Sequence, residues 1–176
     1  AKKLMADAGY PDGFKMTIHG PNDRYINDAK IAEALAQMLN SVGIEASVET
    51  MPKAVYFKRA SRGGPNKSPE FSFMLLGWGA GSGEASSPLK ALLHTYDKSK
   101  GMGAANRGRH TDAKVDALVQ KALATVDADA RGKLLAEATE KAVGENYGVI
   151  PMHYQVNTWA AKKGYSYLPR TDERTI

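Results

Sequence analysis

The residues with the clearest chemical potential are a run of glycines around a tryptophan, Gly77-Trp78-Gly79-Ala80-Gly81-Ser82-Gly83, placed directly after an apolar stretch. Glycine lets backbone N–H and C=O groups approach a ligand closely, and the carboxyl end of a strand is where α/β sheets bind ligands. The phosphate-binding form of this device needs Gly-x-Gly-x-x-Gly at the opening of a helix. Counting from Gly77, the sixth position is Ser82; from Gly79 it is Glu84, and from Gly81 it is Ser86. Gly101-Met102-Gly103 fails as well, because Asn106 stands where the third glycine belongs. No nucleotide cofactor is read from this chain. Trp78, Gly79, Ala80 and Gly81 remain candidate ligand contacts, with Trp78 either an apolar wall or a core residue.

Other reactive residue types give weaker patterns. His19, His94, His110 and His153 lie far apart, with no His-x-x-x-His pair, so no metal is expected. The chain has no cysteine, which excludes disulfides, thiolate metal sites and cysteine nucleophiles. There is no Gly-x-Ser-x-Gly elbow. Ser82, Glu84 and His94 form the best hydrolase alternative, although serine in such a loop usually serves the turn itself. The polar run Asn106 to Asp112 (NRGRHTD) leads into a capped helix, and Asn106 and Arg109 are its candidate polar contacts. The simpler reading of that run is a surface loop with an N-cap.

Charge and composition narrow the class. With 24 Lys+Arg against 19 Asp+Glu, the chain carries +5, and its basic residues are scattered. That is a solvated surface rather than a nucleic-acid footprint. At 176 residues and 43% hydrophobic it can bury a core. No apolar run reaches the roughly 18–20 residues needed to cross a bilayer.

The elements that must position these residues follow from periodicity. Leu4, Met5 and Ala8 mark the end of a helix stopped by Gly9. Phe14 to Ile18 alternates as a strand after the turn Tyr10-Pro11-Asp12-Gly13. Asn27 or Asp28 caps a helix whose stripe is Ile31, Leu35, Met38, Leu39 and Val42. Ile44, Ala46 and Val48 alternate in a second strand, and Pro52 starts a short helix. Phe71 to Trp78 reads as a strand covered on both faces. Pro88 to Thr95 is a short helix, and Lys98 to His110 an ordered loop or lid. Thr111 or Asp112 caps a helix burying Val115, Leu118, Val119, Ala122 and Val126. Asp127 caps another, burying Leu134, Leu135, Ala138 and Ala142. Val149 to Tyr154 reads as an edge strand because it contains Pro151. Strands alternating with helices predict an α/β fold: a mixed sheet with flanking helices.

The order of several segments resembles the C-terminal part of bacterial extracellular solute-binding proteins, family 5. They are Leu4–Phe14 (LMADAGYPDGF), Ala32–Ile44 (AEALAQMLNSVGI), Phe71–Gly79 (FSFMLLGWG), Asn106–Leu118 (NRGRHTDAKVDAL), Asp127–Lys133 (DADARGK) and Val149–Tyr154 (VIPMHY). The resemblance implies one lobe of a two-lobed receptor, periplasmic or membrane-anchored outside the cell. Such a receptor is a monomer that captures a peptide or other small solute for an ABC permease and catalyses nothing. Residues 1–164 would supply most of the second lobe, and residues 165–176 would return toward the first. In peptide-binding relatives an aspartate three residues after the strand-end tryptophan pairs with the peptide's α-amino group; here that position is Gly81. Glu84 could take its place only if the loop bends. His110 replaces the family's usual aromatic residue before Ser/Thr. The resemblance therefore implies a ligand site built from Trp78, Gly79, Ala80, Gly81, Glu84, Asn106 and Arg109.

Overall fold

A computed structural model describes residues 1–170, which contain two compact units, Ala1–Gly77 and Trp78 onward. The first unit is α/β. Helix α1 (Lys2–Asp7) buries none of its residues, and Leu4 is largely exposed, so its apolar face stands uncovered. Strand β1 (Lys15–Pro21) and strand β2 (Glu45–Met51) pair in parallel, with Lys15 opposite Glu45 and Pro21 opposite Met51. The crossover between them is α2 (Asp28–Ser41). Gly13, at φ +77°, lies so close to the carbonyl of Gly43 that any Cβ would collide with it.

The pleat sends β1 and β2 residues alternately to two faces. On one face Ile18 packs with Ala32 and Ala36 of α2, flanked by Met16, Leu35, Leu39 and Val48. The buried line of α2 is thus its alanines, whereas Met38 of the expected stripe is exposed. Small side chains let the helix sit close to the sheet: a Cβ on Gly20 of β1 would be 3.8 Å from that of Ala32. On the other face, α3 (Lys53–Arg62) packs Tyr56 and Ala60 against Met51 and Phe71. The Phe71–Trp78 segment joins the sheet only at Met74, beside His19 of β1. There the His19 N–H donates to the Phe73 carbonyl at 3.1 Å, and the Leu75 N–H to the His19 carbonyl at 2.8 Å. The expected full strand is therefore a single bridge, with Phe71 and Leu75 buried and Trp78 exposed.

The second unit is helical. Helix α4 (Ser86–Pro88) runs into a π-helical turn, Leu89–Leu93. Helices α5 (Ala113–Ala124) and α6 (Ala128–Thr139) form a hairpin, and α6 continues as a π-helical turn, Glu140–Glu145. Both caps are those expected. Asp112 accepts from the N–H groups of Lys114 and Val115, and Asp127 from that of Ala130. Leu89, Leu93, Val115, Val119, Ala122, Leu135, Ala138 and Ala142 form one core. Val126 lies past the end of α5 and is exposed. Val149 to Tyr154 is not a strand: among the described residues nothing pairs with it, and Tyr154 is 98% exposed. A strand holds its form by pairing, and this segment is paired with no described strand.

Candidate ligand-binding site

All seven candidate residues fall in the second unit. Trp78 is exposed, as are Gly79 and Gly81, and Ala80 is half-buried. The loop closes on a turn in which the Gly83 N–H donates to the Ala80 carbonyl at 2.8 Å, with Gly83 at φ +75°. A Cβ at Gly81 would meet nothing within 4 Å, so this position is open space.

Glu84 is already engaged. The Ser86 hydroxyl donates to its Oε1 at 2.7 Å, and Arg131 Nε donates to its Oε2 at 2.9 Å. The Ser86 bond first, and Arg131 second, hold its carboxyl below the usual glutamate range. Arg131 also reaches the carbonyls of Thr125 and Val126 at the turn between α5 and α6. Glu84 therefore anchors the glycine loop to the helical hairpin. A carboxylate so occupied has little capacity left for a ligand ammonium.

Asn106 and Arg109 share one loop but differ in access. Asn106 is 3% exposed. Its Nδ2 donates to the carbonyls of His94 and His110, and its Oδ1 accepts from the His110 N–H at 3.0 Å. Its amide builds the loop from inside rather than presenting itself to solvent. Arg109 is exposed, with φ +54°. Its guanidinium lies over the Tyr96 ring at 4.3 Å, and Nη1 donates to the Asn106 carbonyl at 3.3 Å. Stacking fixes the plane of the cation while leaving donors free. The structure thus makes two groupings: Glu84 with Ser86 and Arg131, and Asn106 with His94, Arg109 and His110. No described contact joins Trp78 to either.

The histidines and Arg131 carry weight that sequence reasoning missed. His94 is 3% exposed; its Nδ1 lies 2.8 Å from the Thr95 carbonyl and its Nε2 lies 3.0 Å from the Gln120 amide. With that amide as donor, His94 holds its proton on Nδ1. His110 Nδ1 lies 2.9 Å from the Leu93 carbonyl, so its ring has a backbone partner. Neither ring nitrogen of His94 faces Ser82, and Glu84 is held by Ser86 and Arg131. The hydrolase alternative gains no support, because its serine lacks a base. No sequence spacing signals the Glu84–Arg131 pair, whose members are 47 residues apart. Among the described residues no cluster of metal-ligating side chains occurs, and no helix is long and apolar enough to cross a membrane.

Residues 1–100 match the model of bacterial extracellular solute-binding proteins, family 5 Middle. The chain belongs to this family. Heme-binding protein A of Haemophilus influenzae is 29% identical over 144 residues, 78% of this chain and 24% of that protein. Glutathione-binding protein GsiB of Salmonella paratyphi A is 28% identical over 142 residues, 80% of this chain and 27% of that protein. Among solved structures, the ABC transporter-associated periplasmic binding protein DppA from Helicobacter pylori, in complex with the peptide STSA, superposes with a TM-score of 0.66. It is 27% identical and is matched over 79% of this chain and 25% of its own. The chain thus spans about a quarter of the length of the curated relatives it matches. The family is one of binding proteins, and the α/β fold with flanking helices is the one expected from the sequence.

Proposed function

We propose that this chain is part of the solute-binding component of an ABC importer, which captures a small solute outside the cytoplasmic membrane and hands it to a membrane permease. The observation that carries this reading is the exposed Trp78 at the head of an open glycine loop, set in a chain of family 5. The indole supplies an apolar wall, the peptide groups of Gly79 to Gly81 supply donors and acceptors, and Arg109 supplies a cation. Residues 1–164 furnish most of one lobe, and residues 165–176, of which 171–176 lie outside the described residues, lead toward the other. Capture requires both lobes, because a ligand favours the closed state only through contacts that state alone completes. The receptor works in the periplasm, or anchored outside the cell, as a monomer without nucleic acid, and it catalyses no reaction.

Calorimetry tests this with haem, glutathione and a tetrapeptide as probes, on this chain and on the longer receptor that contains it. The receptor is expected to bind one probe, with affinity about tenfold or more weaker in Trp78→Ala. The 176-residue chain alone is expected to bind far more weakly. Equal, tight binding by both would sink two-lobe capture. Turnover of an ester, peptide or phosphate substrate that disappears in Ser82→Ala would replace the binding reading with an enzymatic one.

A further inference from the structure

The second unit carries an open surface pocket of about 370 Å³ that the Trp78 loop does not line. One wall is the helical run with Ser86, Ser87, Lys90 and Ala91, and the other is Gly101 and Ala104 of the following loop with Leu123 of α5. Its size falls in the range of small-molecule sites, roughly 300–1,000 Å³. The walls are pinned to each other through the backbone. The Lys90 carbonyl accepts from the Gly103 N–H, and the Ala91 carbonyl from the Ala105 N–H, both at 2.9 Å. Ser86 and Lys90 are four residues apart along one helical run and so lie on one face.

The polar wall is electrostatically incomplete. Lys90 is half-buried, and among the described residues its ammonium has no hydrogen-bond or ion-pair partner. The nearest acidic group through a pocket residue is Glu84, and Arg131 already neutralises it at 2.9 Å. The Ser86 hydroxyl gives its proton to Glu84, which leaves the Ser87 hydroxyl and the Lys90 ammonium as donors toward the pocket. An ammonium with no partner in the protein is free to meet an anionic ligand at the pocket. From Trp78 to His110, the stretch that supplies six of the seven lining residues, the chain holds five Lys/Arg (Lys90, Lys98, Lys100, Arg107 and Arg109) against two acids (Glu84 and Asp97).

We propose that this pocket is a binding site for a small carboxylate with a short branched apolar body. The carboxylate takes the Lys90 ammonium and the Ser87 hydroxyl, and the aliphatic part lies against Leu123, Ala91 and Ala104. The site uses none of the exposed groups assigned to solute capture, so either proposal can fail while the other stands.

Amide chemical-shift titration of the 176-residue chain tests it, with isovalerate as probe and isovaleramide as its neutral isostere. Isovalerate is expected to give saturable shifts at Ser87, Ala91 and Ala104, and isovaleramide none. Lys90→Met is expected to weaken isovalerate about tenfold or more, and Lys90→Arg to keep it within a few-fold. Unsaturable shifts, equal responses to acid and amide, or unchanged affinity in a folded Lys90→Met chain would each overturn the proposal. Unaltered dispersion of distant amides shows that each variant has folded.

Discussion

The two units differ in how much of their polar bonding is buried. In the first, Ile18, Ala32 and Tyr56 are fully buried, and Lys15, Thr17 and His19 of β1 meet Glu45, Ser47 and Glu49 of β2 in a polar ladder on one face; its buried acid, Asp28, accepts from the N–H groups of Arg24, Tyr25 and Ala29. In the second, an apolar helical hairpin is joined to a long loop whose interior is polar. His94, Asn106 and His110 make the bonds that close it, and two of the three are almost fully buried. The exposed polar pairs of the β1–β2 ladder are largely expendable, whereas Asp28 in the first unit and Asn106 in the second act as internal struts. A conspicuous polar motif can therefore be the skeleton of a binding loop rather than its contact surface.

The largest test of that contrast is Asn106→Ala. It leaves two carbonyls and one N–H inside the loop without their partner, and should cost about 3 kcal/mol, at roughly 1 kcal/mol or more for each buried group. Chemical denaturation with amide exchange in the Gly103–His110 loop reads it; a loss below about 0.5 kcal/mol would make the loop as tolerant as a surface turn. The counterpart in the first unit is Tyr56→Phe. Its hydroxyl donates to the Leu75 carbonyl at 2.6 Å and lies 3.3 Å from that of His19, so it ties β1 to the neighbouring segment. The expected loss is about 1–2 kcal/mol, with the apolar contacts of the ring retained. A loss equal to that of Asn106→Ala would erase the contrast.

The smallest effect is an acid one. Arg59 donates to Glu49 at 2.6 Å and to Glu70 at 3.0 Å, and these bonds hold both carboxyls below their ordinary value of 4.5. A lowered carboxyl contributes stability that is complete above the unfolded value and is lost as pH falls through the folded one. Below pH 4.5 the first unit should weaken, and Arg59→Gln should flatten that slope. In the second unit Glu84 and Asp112 are lowered by other partners, Ser86 and the Val115 N–H foremost. Its acid slope should therefore survive Arg59→Gln. Unit-resolved amide exchange across this pH range would show whether one slope changes or both.

How much of this was legible in the sequence depends on the distance over which each signal acts. The helix caps Asp112 and Asp127 act within one turn, and local spacing was enough to place them. The alternation of β1 and β2 revealed the strands, but not which face of α2 would meet them. Of the expected stripe Ile31, Leu35, Met38, Leu39 and Val42, Leu35 and Leu39 do pack on the core, but the helix's buried line is Ala32 and Ala36, a choice made by the partner surface, and Met38 is exposed. The strand expected at Val149 to Tyr154 failed for the same reason, since pairing belongs to two segments and sequence pattern to one. The glycine loop was visible, but the engagement of Glu84 by Arg131 was not. Asn106 attracted attention because it is polar in a polar loop, and only its three partners reveal the interior role.

Gly148 gives the chain a practical seam. A Cβ there would press on Leu93, His110 and the Ala142 carbonyl, so the backbone is wedged into the hairpin at that point. Val149 still packs partly against the same core, and every described residue from Ile150 onward is exposed. Among those residues are Tyr154, Val156, Tyr165 and Leu168, each more than three-quarters bare. Taken alone, the chain therefore presents its apolar surface on the stretch beyond the hairpin, while the hairpin's buried interior closes at Val149.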